Sequence, residues 1–196
     1  RPDFKRERWH SLNGVWEFEF DDLNQGINEK WYGANHSFTR QIQVPLVYQA
    51  ELSGIGTRER HDIIWYRREF ILPEQFVDQQ ILFKIGAADY YTQIWVNGVY
   101  IGEHTGGYTP MEFEITNTLH ARNTVVIRVE DRADQRSQPR GKQSWMPTNF
   151  GCWYTGFTGI WQSVWLEAVA AIRIKQIRFT PDVDHGKVKI DVFLNH

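Results

Sequence analysis

The chain has 196 residues, enough for one domain with a full core, or for one domain and a piece of a second. Its 22 Lys and Arg nearly balance 24 Asp and Glu, for a formal net charge of −2, and without a basic stripe nucleic acid is not an expected partner. The single cysteine, Cys152, excludes an internal disulfide and a thiolate metal cluster, and no run of about eighteen apolar residues is present to cross a membrane as a helix. One thiol fits a reducing, cytoplasmic setting; the chain starts at Arg1 rather than Met, so a secreted or periplasmic parent stays open.

Nine Trp, eight Tyr and twelve Phe give an aromatic share of 15%, which suits strands and also supplies flat faces for the C–H sides of sugar rings. In chain order, Trp16, Phe18 and Phe20 alternate with Glu17 and Glu19, the period of a half-buried strand. A long connection follows over 45–62, holding Glu51 and Ser53. Residues 73–77 are expected to form one helical turn. Ile81, Phe83 and Ile85 share the face of another strand. Ile94 and Val96 run into Asn97-Gly98, a type I′ hairpin signal, and the chain returns over 99–101. Trp16 and Trp95, both inside strands, are expected in the core.

Gly106-Gly107 reads as a turn, because no helix follows to make a phosphate cradle. A second helical turn is expected over 117–121, then a strand carrying Val125, Ile127 and Val129. A second long connection spans 132–158, and a strand follows over 160–167. The composition shifts near Ala168. Strands over 170–180 and 187–194, around Asp184-His185-Gly186, read as the first hairpin of a further all-β domain. Many short strands with frequent turns and no long helix predict an all-β sandwich. The two long connections are expected at one end of it, since neither buries its aromatics alone. The apolar faces of the hairpin (Ile172, Ile174, Ile177, Phe179; Val188, Ile190, Val192, Leu194) are expected either to fold back on the sandwich or to self-associate with another copy through 170–196.

No catalytic set emerges. Glu51, Glu59, Glu103, Asp131 and Asp134 lie in loops or turns, but no signature pairs two of them. The seven histidines are scattered without metal-ligand spacing, and Ser53 and Ser144 lack a nucleophile elbow. No metal and no cofactor is expected. A binding reading has more support. Arg140 and Lys142 supply donors, Gln143 a donor and an acceptor, and Trp145, Trp153 and Tyr154 stacking faces, with Glu51 added from the first long connection. The bland alternative is that these residues knit the two loops together, with Arg140 in a buried ion pair.

These motifs resemble glycoside hydrolase family 2. "RERWHSLNGVWEFEF" resembles the family's opening, and "WVNGVYIGEHTGGYTPMEFEIT" its sugar-binding domain; "VVIRVED", "QPRGKQ" and "WYTGFTGIWQSVWLE" follow in the expected order, over roughly residues 4–168. The resemblance implies a jelly-roll (galactose-binding-domain-like) sandwich over 1–168 and the first strands of an immunoglobulin-like sandwich over 169–196. It also implies that the catalytic glutamates belong to a (β/α)₈ barrel outside this chain. In some members, first-domain loops touch the sugar through an aspartate and an asparagine. The matching positions here are Trp153 and Ser53, so those roles do not carry over, and the pattern resembles another branch with substitute contacts from the same loops. The implied role is a non-catalytic accessory domain of a retaining exo-β-glycosidase, meeting a β-glycoside together with the barrel. An independent lectin-like module and a structural spacer are the alternatives. Galactosides, glucuronides and mannosides all remain open as substrates.

Overall fold

The computed structural model describes residues 6–132, 134–146 and 148–195. The outer ends of the expected domain bounds, residues 1–5 and His196, lie outside them. The strands are β1 (Trp9–Ser11), β2 (Gly14–Phe20), β3 (Arg40–Val44), β4 (Ile63–Phe70), β5 (Gln80–Ile85), β6 (Ala88–Asp89) and β7 (Tyr91–Val96). They continue as β8 (Val99–Thr105), β9 (Met111–Glu114), β10 (Asn123–Glu130), β11 (Gly159–Ile160), β12 (Val164–Val169), β13 (Ile174–Asp182) and β14 (Lys187–Leu194). Expected helical turns appear as short 3₁₀ turns at Glu74–Phe76 and Thr116–Thr118, and a third, not expected, at Glu51–Ser53.

Two antiparallel sheets carry the fold. One has six strands in the order β3-β2-β4-β10-β7-β8, the other four in the order β1-β12-β5-β9. Alternation dictates which side chains meet between them. Trp16 and Phe18 of β2, Ile64 and Tyr66 of β4 and Ile127 of β10 face Phe83 and Ile85 of β5 and Leu166 of β12. Trp16 Nε1 donates to the Leu12 carbonyl at 2.8 Å, so its one polar atom is satisfied inside the core. The all-β sandwich expected from the alternation is thus present. The Asn97-Gly98 turn is also as expected: both residues have positive φ, 52° and 78°, as a type I′ turn requires.

The six-stranded sheet is covered on its other face too. Residues 21–39 lie across it and form a second cluster in which Trp31 packs with Ile63, Trp65, Trp95 and Val126. Asp21 ties the segment down: its carboxylate accepts from Trp65 Nε1 at 3.0 Å, Gln25 N at 2.8 Å and Gly26 N at 3.0 Å. Trp95 is therefore buried as expected, but outside the sandwich, stacked on Tyr32 with ring centroids 5.1 Å apart.

β13 and β14 make a separate two-stranded sheet. One face carries the pairs Ile177↔Val192, Phe179↔Ile190 and Pro181↔Val188; the other carries Arg178↔Asp191 and Thr180↔Lys189. The apolar face does not lie on the sandwich, as the fold-back expectation would require: Phe179 is 62% exposed and Ile190 54%. Arg173 joins hairpin to sandwich, donating to Gln80 Oε1 at 3.2 Å and Glu112 Oε1 at 3.4 Å.

Trp16 is 1% exposed, so replacing it by alanine leaves a large hole between the sheets. Trp16→Ala is expected to cost about 3–5 kcal/mol in urea unfolding. A loss below about 1 kcal/mol would show that this position is not core.

Candidate functional site

The two long connections meet at one end of the sandwich, and the register of β4 and β10 explains why. These strands pair antiparallel with Ile63 opposite Glu130. The segment entering β4 and the segment leaving β10 must then emerge side by side, and Asp131 N extends the ladder by donating to the Asp62 carbonyl at 2.8 Å. Between the two segments lies a cleft of about 590 Å³. Tyr48, Arg58 and Arg60 line it from the first; Gln138, Arg140, Gln143, Ser144 and Trp145 from the second; Asp131 and Thr158 lie between.

The first segment is folded around Tyr48. The Tyr48 hydroxyl donates to the Glu59 carbonyl at 3.2 Å and accepts from His61 N at 3.1 Å. The Tyr48 carbonyl accepts from Gly56 N at 3.0 Å and Ser53 Oγ at 3.4 Å. Ser53 is buried and closes this turn.

The second segment is held by two buried carboxylates, Asp131 and Asp89. Asp131 accepts from Gln138 Nε2 on Oδ1 and from Thr158 Oγ1 on Oδ2, the latter at 2.7 Å. Asp89 accepts from Gln143 Nε2 at 2.6 Å. The Gln143 amide can point only one way, because its Oε1 accepts the Phe157 backbone N–H at 2.8 Å. Its second Nε2 hydrogen goes to the Tyr108 hydroxyl at 3.1 Å, and that hydroxyl donates onward to the Arg140 carbonyl at 3.2 Å. Backbone pairing adds to this: Ser144 N donates to the Tyr154 carbonyl at 2.7 Å, and Tyr154 N to the Lys142 carbonyl at 2.9 Å. Burial pushes the Asp89 carboxyl up to about 7, helped by the nearby Asp131 charge and opposed by the Gln143 hydrogen bond. Burial likewise raises Asp131, against the pull of Thr158 and Gln138.

An aromatic wall stands on this frame. Trp145 packs edge-on against Trp153 at 5.0 Å and Phe150 at 5.3 Å, yet remains 42% exposed. The Arg140 guanidinium lies 5.8 Å from the Trp145 ring centroid, and Arg140 Nη2 donates to the Gln135 carbonyl at 2.9 Å.

Among the residues singled out from sequence, Arg140, Gln143 and Trp145 come together in the cleft. Trp153 sits against Trp145, half-buried, while Lys142 and Tyr154 are exposed on the same segment. Glu51 is exposed on the 3₁₀ turn and does not line the cleft. Asp134 pairs with Arg60 at 3.2 Å, and Glu103 lies on β8, accepting from Tyr91 and Tyr100. Sequence reasoning missed Tyr48, Arg58, Arg60, Gln138 and, above all, Asp89. No local pattern marks Asp89, because its partner Gln143 lies 54 residues away in the chain. Among the described residues no group of three or more His, Cys, Asp or Glu is placed to hold a metal ion. A guanidinium beside an open indole face makes a surface that can bind a polyhydroxylated ring by hydrogen bonds and stacking.

Three comparisons bear on this arrangement. A family model described as "Glycosyl hydrolases family 2, sugar binding domain" matches residues 9–168. The chain is 27% identical over 184 residues to a β-glucuronidase of Paenibacillus borealis, covering 88% of this chain and 31% of that protein. It is 28% identical over 174 residues to a β-galactosidase of Thermoanaerobacter pseudethanolicus, covering 87% of this chain and 21% of that protein. It thus spans about a third of these relatives or less. Its fold is similar to that of a β-glucuronidase from Ruminococcus gnavus in complex with uronic deoxynojirimycin, with a TM-score of 0.76 at 20% identity over 98% of this chain and 35% of that one.

Gly107 tests how tightly this end is packed. A Cβ there would lie 2.2 Å from Asp89 Oδ1. Gly107→Ala is expected to displace the carboxylate and cost about 1–3 kcal/mol in urea unfolding, with a change in the near-ultraviolet aromatic signal. Wild-type stability and an unchanged signal would show that the carboxylate has room to move.

Proposed function

The chain belongs to the sugar-binding-domain family of the family 2 glycosyl hydrolases, and from that premise we propose that it is the non-catalytic N-terminal domain of a retaining exo-β-glycosidase. The observation that carries this reading is the cleft where both long connections meet, with Arg140 and Trp145 on its wall. In the proposed role this end of the sandwich abuts a catalytic domain and forms part of its substrate pocket. Arg140 donates to sugar hydroxyls, and Trp145 offers a face to the ring. Cleavage with retention needs two carboxyl groups about 5 Å apart across the scissile bond, and the proposal assigns that pair to the partner domain.

The proposal assigns residues 1–168 to the sandwich and 169–196 to the start of an immunoglobulin-like sandwich. Further strands would then cover Phe179, Ile190 and their neighbours. In the isolated chain the same face is expected to self-associate. Light scattering checks this: the 196-residue chain should be larger than a monomer, and removing 170–196 should restore the monomer.

A second reading, an independent carbohydrate-binding module, is favoured by the cleft being formed within this chain. Calorimetric titration with free galactose, glucuronate and mannose separates the two. A Kd below about 1 mM supports the module, and weaker binding the accessory domain.

The isolated chain is expected to hydrolyse none of the nitrophenyl β-galactoside, β-glucuronide or β-mannoside. Turnover that survives repurification and vanishes on mutating one of its own carboxylates would overturn the non-catalytic role. In the longer enzyme, Arg140→Ala should lower kcat/KM about tenfold, the effect of losing one charge-assisted hydrogen bond, with Tm unchanged. An unaltered kcat/KM would place Arg140 in the loop scaffold instead.

A further inference from the structure

Asp89 is a carboxylate at 1% exposure whose surroundings suit it poorly when ionised. It sits on β6, opposite Gly159 of β11. Oδ2 accepts from Gln143, while Oδ1 lies against Gly107 and has no hydrogen-bond partner among the described residues. The charged neighbour that acts on it is another buried carboxylate, Asp131, at the end of β10. Asp131 in turn faces Asp62 and Arg60 from the other long connection. Tyrosine hydroxyls also lie around the pair: Tyr108 through Gln143, Tyr48 beside Asp131, and Tyr66, which accepts from Ile160 N at 3.2 Å.

The only hydrogen bond that Asp89 accepts among the described residues comes from the segment that walls the cleft. The same glutamine holds Phe157 N and, through Tyr108, the Arg140 carbonyl. Release of Gln143 therefore removes an anchor shared by Phe157 and, through Tyr108, by the Arg140 backbone, on the stretch that also carries Ser144 and Trp145.

We propose that Asp89 and Gln143 form a proton-controlled latch: with Asp89 neutral, Gln143 is held against β6 and keeps Ser144 and Phe157 in place at the cleft wall, and ionisation of Asp89 releases Gln143. Two effects oppose each other in the ionised state. A charge strengthens the bond from Gln143, but it must be buried beside Asp131. Burial prevails, since the carboxyl is pushed up to about 7 in the closed arrangement. An open arrangement that hydrates Asp89 would return it to about 4. The closed form then binds the proton more tightly, so protons favour closure. Closure is fully supported below about pH 4, weakens as pH rises toward 7, and changes little above it. This inference does not rest on the sugar reading, since it concerns only whether the wall is in place.

Hydrogen exchange at the Phe157 and Ser144 amides, expressed as protection factors to remove the intrinsic pH effect, reads the latch directly. Protection in the wild type should fall about tenfold between pH 6 and pH 8 and then level off. Asp89→Asn keeps an acceptor for Gln143 but cannot ionise, and its protection should be flat across that range. Flat protection in the wild type, or an equal fall in Asp89→Asn, would overturn the latch; the second result would move the proton to Asp131. Should Asp89→Asn not fold, carbonyl-carbon NMR of wild-type Asp89 decides. A midpoint near 7 that coincides with the Phe157 change supports the latch, and a midpoint near 4 refutes it.

Discussion

The arrangement of this molecule rests on the antiparallel pairing of β4 with β10. Both strands run through the middle of the six-stranded sheet, and both are covered on two faces: Ile64, Tyr66, Val125 and Ile127 face the other sheet, and Trp65 and Val126 face the segment 21–39. Strands buried on both sides cannot slip by one residue, because a slip would swap every side chain between two differently shaped layers. The Ile63↔Glu130 register is therefore pinned, and it delivers the two long connections to the same end of the sandwich. The cleft follows from that register.

What closes the end is polar rather than apolar. Asp131 and Asp89 are removed from water, and each takes donors from the segment 132–158: Gln138 and Thr158 for the first, Gln143 for the second. A buried carboxylate without a cation is costly unless it is hydrogen-bonded or keeps its proton. Asp131 meets the requirement with both oxygens. Asp89 meets it with one oxygen and a raised affinity for its proton. This frame leaves the segment's large side chains, Trp145 and Tyr154, available at the surface. A long connection thus gains order without hiding its aromatics.

The hairpin of β13 and β14 differs in kind. One of its faces is apolar, and the other carries charged and polar side chains together with Phe193, over whose ring the Arg178 guanidinium lies. It is attached to the sandwich chiefly through polar contacts of Arg173. The sandwich has a buried core between its sheets, whereas the hairpin is a separate sheet with an exposed apolar face.

Much of this was legible in the amino-acid order. Trp16-x-Phe18 and Phe83-x-Ile85 declare strands and their inward faces, Asn97-Gly98 declares its turn, and the family motifs run from one end of the sandwich to the other. Those features are local: a period of two, a turn that needs positive φ, a string of motifs. The site was legible only in part. Arg140, Gln143 and Trp145 could be picked out because they crowd one stretch of chain. Glu51 could not be excluded, since only the 3₁₀ turn at Glu51–Ser53 keeps it off the cleft. Trp95 could be assigned to the interior, but not to the layer under residues 21–39, because alternation says that a side chain is buried and not what buries it. Asp89 was out of reach for the same reason. Its role comes from Gln143, 54 residues away, and from the desolvation that the β6–β11 pairing imposes. Local order in the sequence determined the strands, the turns and the membership; only tertiary contact decided which polar groups lost their water, and with it where the chemistry of this end resides.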